Sequence, residues 1–228
     1  MLPFTVAQFF DVFARYNEAV WPAPIVAYGL GAIALAAVLR GGPTGNRLAA
    51  AVLAIFWLWT GVAYHWLAFT PINKAAWIFG ALFVAEAALL IWLGVWRSQL
   101  TFGYRRGLAS AVGLLLITYG TIVYPLLGYA AGHVYPRMPM FGITPCPVTI
   151  FTLGLLLLAR PVRWSVLIIP VLWSLIGGTA AFLLNVPQDW LLLLSGPLAI
   201  ALLWRDRQDD GRNASAIKKT RQTGGEIR

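Results

Sequence analysis

The chain contains one cysteine and two histidines among 228 residues, and only 11% of it carries charge. A lone Cys146 closes no intramolecular disulfide. With so few soft donors, a metal centre has one candidate ligand set, His65, His133 and Cys146, joined by Glu18. The sequence holds no Gly-x-x-x-x-Gly-Lys loop, His-Glu-x-x-His pair or Gly-x-Ser-x-Gly elbow, which removes the commonest nucleotide-binding, zinc-hydrolase and serine-hydrolase chemistries. The last apolar segment has no lysine to carry a retinal Schiff base. No cofactor is expected, and no enzyme signature is present. Soluble domains average about 25% charged residues, so water is not the solvent of this chain.

What is present is apolar: 60% of the residues are hydrophobic and the mean hydropathy is +0.75. Runs bounded by charge, Gly and Pro give seven segments, roughly 21–40, 48–69, 75–96, 107–128, 144–159, 164–184 and 188–204. Each can cross about 30 Å of hydrocarbon as a helix, the fifth and seventh being short. The expected fold is an all-α membrane protein with seven transmembrane helices over 21–204.

Charge alternates between the loops. Fourteen of the seventeen Lys and Arg fall on one side, leaving only Arg15, Lys74 and Arg137 on the other. The positive-inside rule then places the N-terminus outside and the C-terminus in the cytoplasm. The net charge of +9 is a topology signal, and no nucleic-acid partner follows from it. The partner implied is the lipid bilayer. Trp21, Trp66, Trp77, Trp96, Trp164, Trp190 and Trp204 fall near segment ends, where indoles suit the headgroup boundary.

Residues 1–20 lack the basic region and cleavage site of a signal peptide. Thr5-x-x-Gln8 reads as a capping box, and Val6, Phe9, Phe10 and Phe13 recur at helical spacing, predicting an amphipathic helix on the outer membrane surface or over a cavity mouth. Residues 205–228 are rich in charge, Gly, Ser and Thr and are expected to form a disordered cytoplasmic tail.

Arg47, Trp57, Gly61 and Pro71 return as Arg163, Trp173, Gly177 and Pro187, each 116 residues on. Pro22-Ala23-Pro24 and Pro145-Cys146-Pro147 open the first and fifth segments. Both features are consistent with a parallel three-plus-one-plus-three repeat, while Pro in a first helical turn also explains the second by itself. Paired Pro-interrupted segments in corresponding halves point to a transporter binding site.

Glu86 is the only ionisable residue well inside a segment, about mid-membrane, with Thr118, Tyr119 and Thr121 as expected hydrogen-bond partners. An intramembrane acid is a candidate proton or cation site. Tyr64, His65, Cys146 and Thr149 map to the outer half and complete the candidate substrate- or ion-binding set. Cys146, Thr149 and Thr152 form a small polar stripe that suits either a pathway or close helix packing. Asn17, Glu18, Asn73, Lys74, Asn185, Gln188 and Asp189 read as a solvated outer rim.

Pro3-Phe4-Thr5 through Tyr16-Asn17 to Trp21-Pro22, Cys146-Pro147 with Thr149-Ile150-Phe151-Thr152, and Trp173-Ser174-Leu175-Ile176-Gly177-Gly178 resemble an uncharacterised family of bacterial multi-pass inner-membrane proteins, the domain of unknown function 6064. The resemblance runs from the N-terminus to about Trp204 and implies no substrate or catalytic residue. Three functional readings follow from the residues: a small permease for a solute or cation with its site in the outer half of the bundle, a non-transporting scaffold or accessory subunit, and an outer-surface thiol and histidine metal handler or membrane enzyme.

Overall fold

Apolar segments that exclude water must satisfy their own backbone, which in hydrocarbon means helices. A computed structural model describes residues 2–225, with side chains as far as residue 212. Eight helices make up the fold: α1 Val6–Ala19; α2 Ala23–Arg40, α3 Gly42–Phe69, α4 Ala76–Trp96, α5 Leu108–Ala130, α6 Pro145–Leu157 and α7 Ser165–Leu183; and α8 Trp190–Gly225. A helix thus stands at each of the seven apolar segments. Five of them, α2 to α5 and α7, are long and apolar enough to cross a membrane. Trp21, Trp77, Trp96, Trp164 and Trp190 are exposed at or beside helix ends, and Trp204 is exposed within α8.

Helix α6 is the axis of the molecule. It packs on α3, α5, α7 and α8, and every residue from Pro147 to Leu157 is buried. Small side chains permit this crowding. A Cβ on Gly154 would sit 2.8 Å from the Gly113 carbonyl oxygen, so α5 and α6 touch backbone to backbone. Beside this crossing, Trp57 of α3 donates from its indole to the Thr152 hydroxyl at 2.9 Å, and Thr152 in turn donates to the Val148 carbonyl. The Thr149 hydroxyl likewise turns back to the Pro145 carbonyl at 2.8 Å. Two of the three residues of the expected polar stripe thus bond back to their own helix, and Thr149 is not among the residues that line the cavity described below.

Helix α1 has the expected capping box, with the Thr5 hydroxyl accepting from the Gln8 backbone and the Gln8 side chain accepting from that of Thr5. Its buried face is Phe9, Val12, Phe13, Tyr16 and Asn17, turned onto the bundle. Two polar anchors hold it there. The Tyr16 hydroxyl donates to the Ile143 carbonyl at 2.8 Å and accepts from the Trp59 indole, and Asn17 donates to the carbonyls of Pro136 and Met138. Asn17 is fully buried, so it belongs to a packed joint and not to the solvated rim.

The opposite end is clasped by loops. Gly103 donates to the Leu158 carbonyl, Arg160 to that of Thr101, and the Phe102 backbone to the Asn46 side chain. Helix α8 continues without a break past Trp204 as far as Gly225, through the segment expected to be disordered. Arg205, Asp209 and Arg212 stand three and four residues apart there and form ion pairs along one helical face. Residues 226–228 of that expected tail lie outside the described residues.

Candidate functional site

Tyr64 and His65 lie in the last ten residues of α3, Thr60–Phe69, where the helix widens to π-type turns. Each backbone N–H there reaches five residues back, as Thr70 does to the His65 carbonyl. Such turns concentrate at functional sites because they re-aim side chains. Here they bury two consecutive residues: Tyr64 is 2% and His65 0% exposed.

Both line a cavity of about 140 Å³ near the end of the bundle that carries α1. Phe4, Phe9 and Phe13 of the N-terminal segment form one wall, Tyr64, His65 and Phe69 of α3 a second, and Phe79 of α4 with Trp173 of α7 a third. Cys146, at the start of α6, completes the lining, and exposed Leu2, Thr179 and Leu183 mark its outer margin. The rings contact one another: His65 lies 4.7 Å from Phe83 and 5.0 Å from Trp173, and Tyr64 stacks on Phe13 at 5.4 Å.

Polar groups in this aromatic shell lack partners. Neither ring nitrogen of His65 makes a hydrogen bond, nor does the Trp173 indole nitrogen. The Cys146 thiol is close enough to interact with Trp173, and on its other side with Asp189. Buried polar groups are normally satisfied, and each exception calls for an explanation.

Asp189 was read as part of the rim, yet it is 1% exposed, and its neighbour Gln188 is equally sealed. The Pro187–Asp189 turn that precedes α8 folds both residues inward. The Tyr124 hydroxyl of α5 donates to the Asp189 carboxyl at 2.7 Å, and no cation pairs with that carboxyl among the described residues. Tyr119 donates to the Gln188 carbonyl.

Glu86 stands apart from the cavity lining. It is fully buried, and neither carboxyl oxygen has a hydrogen-bond partner. The expected partners are engaged elsewhere, Tyr119 with Gln188 and Thr121 with the Ile117 carbonyl. The reason is topological: α4 packs on α3 and α7, which leaves the α5 hydroxyls on other faces of the bundle. Glu86 comes three residues after Phe83, so along α4 it lies about 4.5 Å beyond the ring that touches His65.

His133 is also separate. Its ring lies 4.3 Å from Phe10 and borders another hollow with Ala7, Gly132 and Arg137. Among the described residues no three His, Cys, Asp or Glu side chains come together in a way that could hold a metal ion. The candidate set His65, His133 and Cys146, with Glu18, is therefore not assembled.

The structure thus brings together Tyr64, His65 and Cys146, leaves Glu86 beyond them and turns Thr149 away. Trp173, Asp189 and Tyr124 join the site without having been singled out for it. The signal for Asp189 was present, an acid directly before an apolar helix, where the helix dipole favours a carboxylate.

A family model described as "Family of unknown function (DUF6064)" matches residues 6–214. No curated protein and no solved structure matches the chain.

Proposed function

The chain belongs to the DUF6064 family, and we propose that it is a small bacterial inner-membrane permease whose outward-facing binding site is the cavity beneath α1. Seven helices, α2 to α8, would span the bilayer, with the N-terminus outside and the C-terminus in the cytoplasm. The charge asymmetry of the loops and the exposed tryptophans at helix ends support that arrangement.

One observation carries the functional reading: buried, unpartnered nitrogens of His65 and Trp173 in a cavity closed by a helix from the chain's own N-terminus. A structural core would have filled this space with apolar contacts. Glu86, unpartnered and deeper along α4, supplies the second station that a pathway through the bundle needs.

Cys146 is the sole cysteine, which makes a direct test available. A membrane-impermeant maleimide added to intact cells should modify it from outside. In proteoliposomes the purified chain should accelerate equilibration of at least one solute from a panel of small cations and neutral molecules, and Glu86→Gln should slow that flux. Labelling only from the cytoplasmic side, or no flux with any solute, removes the permease reading. The close crossing of Gly113 and Gly154 favours a second reading, in which a rigid bundle serves as a non-transporting scaffold.

A further inference from the structure

The cavity is walled by aromatic rings, and Asp189, a buried carboxyl group without a cationic partner, lies within electrostatic range of two residues of its lining, Cys146 and Tyr64. A second such group, Glu86, stands apart from the lining, beyond Phe83. A carboxyl group buried without a cation stays protonated and ionises when a cation arrives beside it, and among the described residues no Lys or Arg pairs with either acid. Aromatic faces are themselves attractive to cations, most of all in a desolvated site, and cages of such rings recognise alkylated ammonium groups.

The unpartnered nitrogens narrow the choice. A neutral imidazole offers one lone pair, which suits an N–H carried by a cation, while the Trp173 indole offers only a donor and requires an oxygen. The volume, about 140 Å³, is near that of a cavity that holds a single benzene ring. Resting on the binding-site reading above, we propose that the ligand is a small alkylammonium ion that also bears a hydroxyl oxygen. Its charged end lies among the rings of Tyr64, Phe69 and Trp173 on the side toward Asp189, and its oxygen accepts from Trp173. An ammonium ion of this size crosses hydrocarbon poorly in its charged form, so a carrier speeds its passage, which fits a permease.

The test uses two isosteric probes, protonated N,N-dimethylethanolamine and 3-methylbutan-1-ol, which differ at the cationic nitrogen. Calorimetry on the full-length chain in nanodiscs should show saturable binding of the ammonium at least tenfold tighter than of the alcohol. Asp189→Asn keeps the shape and a partner for Tyr124 but should weaken ammonium binding at least tenfold, and Tyr64→Leu should do the same. Thr179→Trp, at an exposed margin of the cavity, should block both probes. If the alcohol binds as tightly as the ammonium and Thr179→Trp blocks it, the cavity is a ligand site and the ammonium assignment is wrong. If neither probe binds, the ammonium assignment and the binding-site reading fall together.

Discussion

His65 and Trp173 meet edge to face with ring centroids 5.0 Å apart, and no nitrogen of either ring is hydrogen-bonded. A structural pair would gain by losing its polar atoms. Replacing an unsatisfied buried group by an apolar one of similar shape is close to neutral or stabilising by about 1 kcal/mol. His65→Leu should therefore melt at or above the wild-type temperature while losing ligand binding. A fall of several degrees would mean that the imidazole nitrogens stabilise the fold.

Asn17 fastens α1 through two hydrogen bonds to loop carbonyls. Asn17→Ala leaves both carbonyls unsatisfied at a buried joint, a cost of about 1–3 kcal/mol. Hydrogen exchange in 6–19 should accelerate, and maleimide should reach Cys146 faster because the wall formed by Phe9 and Phe13 loosens. Unchanged labelling would show that α1 does not control access.

Burial moves the His133 pKa below the ordinary histidine value, against a smaller opposing influence from Gln188. The unfolded chain then binds the proton more readily than the folded one between the two pKa values. Stability from this group is present at neutral pH and falls away below about pH 6.5. Since His133 packs against Phe10 of α1, the loss should be felt first in α1. Exchange in 6–19 should be faster at pH 5.5 than at pH 7.5, and His133→Gln should flatten that difference.

Gly154→Ala places a methyl group 2.8 Å from the Gly113 carbonyl oxygen and equally close to the Ile117 side chain. The helices must separate, at a cost of about 1–3 kcal/mol. Thermal unfolding in detergent should shift down by several degrees. Gly29→Ala, with nothing near its added carbon, is the control and should leave the transition in place.

Much of the fold was legible because hydropathy and charge report on the same boundaries. Seven apolar runs became seven helices, and the Thr5–Gln8 capping box formed as its spacing predicted. The site was less legible, for physical reasons. Asn17, Gln188 and Asp189 look like loop polarity in one dimension, yet they are buried against partners far along the chain, Pro136 and Met138 for Asn17, Tyr119 for Gln188 and Tyr124 for Asp189. Phe9 and Phe13 read equally as the apolar face of a surface helix or as a cavity wall, since apolar spacing cannot distinguish the two. After Trp204 the Gly, Ser and Thr content reads as disorder, whereas Arg205, Asp209 and Arg212 stand at the three- and four-residue spacing of a helical face.

The loop clasp that joins Gly103 to Leu158, Arg160 to Thr101 and Phe102 to Asn46 gives the bundle an uneven stiffness. Three cross-links tie 101–103 to two other parts of the chain at one end, whereas the far end closes through a helix docked by side chains. Ties made largely backbone to backbone yield only with the loops themselves, whereas a helix held through side chains can lift as a unit. A cross-link between α1 and α7 should therefore restrain the cavity mouth more than one at the clasp.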